Sequence, residues 1–195
     1  MPEQVHPAHR RVLEAAARKG ITLHILHFDE PATTAADAAR AVGAELGQIV
    51  KCLVFVAPTD AGPEGVVALV SGPNRVEVGS LAVIVGLPGL RRASPQEAAE
   101  LTGFPVGGIP PFGHRRQLRV VMDADLGLYP MVWAAAGSPN SVFTVPPAEL
   151  RILSNAIVAP FADGPDGPAV TGRGRAGTGP APDRKSTRLN SSHRT

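Results

Sequence analysis

Residues 49–56 read Ile-Val-Lys-Cys-Leu-Val-Phe-Val, "IVKCLVFV". Apart from Lys51 the stretch is β-branched, aromatic or otherwise apolar, the composition of a buried strand. The lysine is the anomaly. A buried ammonium is costly unless it is paired or reaches a wet cleft. Lysine is also scarce: only Lys19, Lys51 and Lys185 among nineteen basic side chains are lysine. Lys51 therefore either opens the strand at the surface with its head in water or stands at a cleft where a compact cation is needed.

Outward from this strand, helical and strand patterns alternate. Upstream, "AHRRVLEAAARKG" (8–20) places Val12, Leu13, Ala16 and Ala17 at helical spacing and stops at Gly20. "ITLHILHF" (21–28) reads as a strand. "TTAADAARAVG" (33–43) has a threonine cap, Asp37 in its first turn and a stop at Gly43. Downstream, a Pro/Gly turn leads to the strand "GVVALVSG" (65–72). "VEVGSLAVIVG" (76–86) is ambiguous, since its β-branched residues favour a strand and its length suits a helix. "SPQEAAELTG" (94–103) is a short helix capped by Ser94, with Pro95 first and Glu97 third. "QLRVVMD", "PMVWAAAG" and "SVFTV" are strands, and "PPAELRILS" (146–154) is a last helix. Several strands are joined by short turns. The pattern predicts an α+β domain with a mixed or antiparallel sheet, open to closure, rather than a doubly wound one.

Length, charge and cysteine bound the function. The 195 residues suffice for one domain with a core. A single cysteine excludes an internal disulfide framework and a cysteine-rich metal site, and suggests a reducing compartment. The N-terminus shows no signal-peptide pattern and no segment reaches the roughly 20 apolar residues of a membrane span, so a cytoplasmic protein is expected. The formal charge is +2, but six basic and three acidic side chains lie beyond Phe161, leaving −1 for residues 1–161. Any nucleic acid must then be met by a local patch. Residues 162–195 open with a Gly/Pro-rich stretch without periodicity and are expected to be disordered. The closing "RKSTRLNSSHRT" reads as non-native read-through rather than a protein element. The expected division is a domain at 1–161 and a tail at 162–195.

The most unusual segment is "TGFPVGGIPPFGHRR" (102–116), with four glycines and three prolines in fifteen residues. Gly107 and Gly108 permit conformations and close approach that a Cβ forbids, and Pro110 and Pro111 stiffen the exit. Such a loop either connects a helix to a strand or presents bare N–H groups to an oxyanion or the polar end of a ligand. It is not a P-loop, because no Gly-Lys-Ser/Thr follows. No Gly-x-Ser-x-Gly or Ser/His/Asp set suggests a serine hydrolase.

Four segments, "QIVKCLVFV", "VSGPNRVEVGSLA", "TGFPVGGIPPFGH" and "VWAAAGSPNSVF", stand in the order and spacing of one family. Over roughly residues 8–160 the chain resembles the YbaK/prolyl-tRNA-synthetase-associated editing domain family. The resemblance implies a mixed, barrel-like sheet flanked by helices, and makes "VEVGSLAVIVG" a helix. It implies a hydrolase that deacylates mischarged aminoacyl-tRNA with water as nucleophile and no covalent intermediate, cofactor or metal. Partners implied are the aminoacylated 3′ end of tRNA and an aminoacyl-tRNA synthetase, with no membrane. The amino acid removed is not fixed by it.

Carried over residue by residue, the family's essential lysine falls on Lys51. Its Gly-x-x-x-Pro loop falls on Gly107 to Pro111, including Gly108, and Gly137 and Ser138 would line the facing side of the pocket. His114 is a candidate substrate contact or loop donor. Trp133, Phe104 and Phe112 are expected in the core, with Phe112, inside the loop, also a candidate to stack on the terminal adenine. Arg115 and Arg116, with Arg91, Arg92 and Arg119, are candidates for the patch that meets the acceptor stem. Cys52, next to Lys51 on a strand, is expected to point away from the cleft into the core. His24 and His27 would lie on opposite strand faces and form no metal site. A non-catalytic tRNA- or protein-binding module on the same fold is the competing reading.

Overall fold

The computed structural model describes residues 6–164. In chain order the elements are α1 (Pro7–Ala17), β1 (Ile25–His27), α2 (Ala35–Val42), β2 (Val50–Ala57), β3 (Glu64–Ser71), β4 (Arg75–Val76), α3 (Val78–Val85) and β5 (Arg91–Arg92). They continue with α4 (Pro95–Thr102), β6 (Arg119–Asp123), β7 (Val132–Ala135), β8 (Ser141–Val145), α5 (Pro147–Ser154), β9 (Ile157–Ala159) and β10 (Ala162–Asp163). The helix ends follow the local signals. Thr34 and Ser94 accept from the backbone N–H three residues on, and Asp37 and Glu97 reach back to close capping boxes. Gly43, Gly86 and Gly103 end α2, α3 and α4 in the left-handed conformation that a side chain resists.

The main sheet runs β5-β2-β3-β6-β9, with β2 antiparallel to β3 and to β5, and with β3–β6 and β6–β9 parallel. β3 is its centre. Val66 to Val70 have no exposed surface, because both faces are covered, which is why the strand reads as an unbroken apolar run. One face packs on α3 through Leu81 and Val85; the other joins α1, α4, α5 and the small sheet β1-β8-β7 around Phe104, Phe143 and Leu150. β10 pairs with β4.

This is a single mixed α+β domain, as the pattern predicts. Among the described residues the strands form three sheets and no closed barrel. One parallel bridge, Ile49 to Trp133, joins the main sheet's β2 end to β7 of the small sheet. "VEVGSLAVIVG" is a helix over residues 78–85. Leu81 and Val85, four apart, bury one face while Val83 stays 82% exposed, so tertiary packing overrides β propensity. Only Ile25–His27 of the expected strand 21–28 pairs, with β8. The expected boundary at residue 161 falls just before β10, whose Ala162 pairs with Val76. The rest of the expected tail, residues 165–195, lies outside the described residues.

Candidate active site

Past the Ile49–Trp133 bridge, the first half of β2 and β7 enclose a cavity of about 420 Å³. β5 pairs only with Phe55 and Val56, which leaves the β2 edge around Lys51 uncovered by a neighbouring strand. Lys51, Arg92, Gly107, Ile109, Ser138 and Ser141 all border this cavity. Lys51 and the glycine loop therefore border one cavity.

Lys51 is half-buried, and its Nζ donates to the Asn74 carbonyl oxygen. Asn74 is held in turn: its Nδ2 donates to Asp123 at 2.9 Å and to Asp125 at 2.7 Å. Burial lowers the Lys51 pKa from the usual lysine value; nearby Asp123 opposes this, and Arg75 and Arg92 add to it. The buried Asn74–Asp123 pair thus supports a cation that neighbouring arginines discourage. Sequence reasoning missed both residues, although Asn74 sits in the quoted "VSGPNR" turn.

In the glycine loop, Gly107 has φ +91°, in the region that favours glycine. The Gly108 N–H is taken by the Pro105 carbonyl at 3.0 Å. Pro110 and Pro111 have no N–H to give. Val106, Gly107 and Ile109 line the cavity, and their N–H groups donate no hydrogen bond among the described residues. Arg11 pins the loop from α1, donating to Gly103 (3.0 Å), Thr102 (3.2 Å) and Gly113 (2.8 Å) carbonyls and lying over the Phe104 ring.

The opposite wall is the loop 137–140. Gly137, at φ +108°, is wedged against Ala8 and Phe104, and sets Ser138 at the cavity. The Ser138 Oγ stands 2.6 Å from Ser141 Oγ and donates to Asn140 Oδ1 at 2.9 Å.

Other expected site residues lie elsewhere. Phe112 is 5% exposed and packs edge-on against Phe143 at 5.6 Å between centroids. It does not border the cavity, and its ring belongs to the core. Pro111 is buried and does not border the cavity. His114 bonds the Pro110 carbonyl through Nε2 at 2.7 Å, so it braces the loop's exit rather than the cavity. Arg115 and Arg116 are exposed, outside the cavity lining. Arg91 and Arg119 are engaged by Glu97 and Glu64, while Arg92 reaches the cavity. Cys52 packs on the main core but also borders the cavity, against expectation. The cavity opens along the strand's edge, so alternation between faces does not exclude it. Burial pushes its thiol up, which makes it a poor nucleophile. Among the described residues no group of three His, Cys, Asp or Glu side chains is placed to hold a metal ion, and no helix is long and apolar enough to cross a membrane.

Residues 29–153 match the family described as the aminoacyl-tRNA editing domain. The chain is 30% identical over 118 residues to the multifunctional Ser/Thr-tRNA deacylase ProXp-y of Escherichia coli strain K12, covering 59% of this chain and 68% of that protein. It is 29% identical over 130 residues to the uncharacterized protein YwhH of Bacillus subtilis strain 168, covering 67% and 80%. The crystal structure of a proposed trans-editing enzyme for prolyl tRNA synthetase superposes with a TM-score of 0.74 at 45% identity, covering 83% of this chain and all of that one.

Proposed function

We propose, from the premise that this chain belongs to the aminoacyl-tRNA editing domain family, that it hydrolyses the ester of mischarged aminoacyl-tRNA in trans. One observation carries the reading: Lys51 borders the same cavity of about 420 Å³ as Gly107 and Ile109, whose N–H groups donate no hydrogen bond among the described residues. That volume falls within the roughly 300–1,000 Å³ of small-ligand pockets. It suits an aminoacyl group with part of its ribose.

In this mechanism the Lys51 ammonium leaves the Asn74 carbonyl to hold a phosphate or the carbonyl side of the terminal adenosine ester. A compact, mobile cation makes less geometric demand there than a guanidinium. Water attacks the ester carbonyl and the Gly107 and Ile109 N–H groups receive the developing oxyanion. Each such donor is typically worth about 10²–10³ in rate. No covalent intermediate forms. Editing supplies the discrimination that an apolar synthetase pocket lacks, since one methylene or hydroxyl separates substrates by only about 10–200-fold. The partners are a charged tRNA 3′ end and an aminoacyl-tRNA synthetase whose errors are corrected, for which the prolyl enzyme is the candidate; translation places the protein in the cytoplasm.

The experiment is a panel of mischarged tRNAs incubated with wild type and Lys51→Ala. Release of an amino acid by wild type and its loss in the variant supports the reading. The second reading, a non-catalytic tRNA- or protein-binding module, is favoured by the Lys51 amine's existing bond to Asn74. Binding of the panel without release of any amino acid would establish it.

A further inference from the structure

Behind the Ser138 wall lies a histidine that the mechanism above does not use. His9, from the first turns of α1, is 7% exposed and does not border the cavity. Its Nε2 stands 3.0 Å from Ser141 Oγ and 3.3 Å from Ser138 Oγ, and the two hydroxyls are 2.6 Å apart. Ser141 is 1% exposed, yet with Ser138 it borders the cavity. A continuous line of hydrogen-bonding atoms thus runs from the pocket wall to a buried imidazole.

We propose that His9, Ser141 and Ser138 form a relay through which the water attacking the ester passes its proton out of the cavity to the imidazole. The proposal rests on the deacylase reading of the site and adds the base that this reading lacks.

The step balances. As the water oxygen bonds to the carbonyl carbon, its proton passes to Ser138 Oγ. The Ser138 proton, released from Asn140, moves to Ser141 Oγ, and the Ser141 proton moves to His9 Nε2. When the bond between carbonyl carbon and ribose oxygen breaks, the same protons return along the line and protonate the leaving oxygen. Water has then been added across the ester and His9 is neutral again.

The surroundings keep the imidazole ready to accept. His9 is packed between the rings of His6 at the α1 cap, 5.2 Å away, and His27 on β1, 4.8 Å away. The 137–141 segment facing it carries no ionisable side chain. Among the described residues no carboxylate pairs with it. Burial, then the charges of His27 and His6, lowers its pKa, so the neutral base prevails at neutral pH. His9 is a positioning residue in that it reaches the reacting water only through the serines.

The test is single-turnover deacylation, across pH 5–8, of whichever mischarged tRNA wild type hydrolyses. The relay predicts a rate that rises with pH and levels off above the His9 pKa. His9→Gln keeps a hydrogen-bonding group but accepts no proton, and should lose about 10²–10⁴ in rate together with that pH dependence. Ser141→Ala should match it, and Ser141→Thr, which restores the hydroxyl, should recover most of the rate. On wild type, a mixed H₂O/D₂O series should give a curved dependence on deuterium fraction, since several protons move in one step. This arm needs no variant to fold. A linear dependence, or full activity with an unchanged pH profile in both His9→Gln and Ser141→Ala, overturns the relay and leaves the deacylase reading standing. Failure of wild type to release any amino acid overturns both.

Discussion

Gly108 rests on the backbone of Ser138: a Cβ at position 108 would stand 2.6 Å from both the Ser138 Cα and its carbonyl carbon. Neither partner can yield cheaply, since Ser138 is held by Asn140 and Ser141 and the glycine loop is pinned by Arg11. The two walls of the cavity are thus spaced by the absence of one methyl group. Gly108→Ala should push them apart and lower single-turnover deacylation by about 10², the usual cost of displacing reacting groups by about an ångström. Gly127, whose Cβ would meet nothing within 4 Å, provides the control: Gly127→Ala should leave the rate unchanged.

Phe112 provides a contrasting case within the same loop. Its ring is buried against Phe143, so truncation should register in stability rather than in substrate affinity. Phe112→Ala should cost about 3–5 kcal/mol, seen as a lowered urea midpoint. At a temperature where the variant remains folded, its KM for charged tRNA should stay close to that of wild type. A large rise in KM with stability intact would instead place the ring against the substrate.

The contrast shows what the sequence could and could not disclose. Helices α2 and α4 were legible because their signals are local: Thr34 and Ser94 cap, and Gly43 and Gly103 stop. The β2–β3 pair was legible from apolar runs around a short turn. Lys51 stood out because a cation interrupts such a run. By contrast α3 could not be assigned from propensity, since Leu81 and Val85 become helical by packing on β3 and β6. The support for the site was equally hidden. Asn74 and Asp123 are 49 positions apart, and His9 and Ser141 are 132 apart. No spacing rule joins such pairs, because tertiary packing brings them together. Cys52 was misjudged because face alternation says nothing of a cavity at a strand's edge.

Arg115 and Arg116 project from the surface between α4 and β6, their backbone N–H groups bonded to the Thr102 and Leu101 carbonyls at 2.8 and 3.3 Å. That fixes where the side chains start while leaving their guanidinium groups free to meet phosphates. Replacing both by Ala should weaken tRNA binding. It should also reduce the slope of log K against log salt by about 0.7–0.9 for each phosphate that is no longer neutralised. Thermal stability should hardly change, because exposed charges contribute little. An unaltered slope would show that the acceptor stem lies elsewhere.

His114 makes the fold itself pH-dependent. Burial lowers its pKa below the usual histidine value; the bond to the Pro110 carbonyl opposes this, and the charge of Arg11 adds to it. Protonation is therefore harder in the folded than in the unfolded chain. As pH falls through about 6.5, the unfolded chain takes up a proton first, and stability is lost until the lower folded pKa is passed. His9 acts in the same direction. Glu97, held at about 2 chiefly by its bonds to Arg91, loses its contribution only below its ordinary value of 4.5, outside this window. Urea midpoints measured between pH 7.5 and 5 should therefore fall with acidification. In His114→Gln that fall should be smaller, with His9 supplying what remains. An identical fall in wild type and variant would mean that His114 titrates as it does in the unfolded chain, and that the loop's exit is open to water.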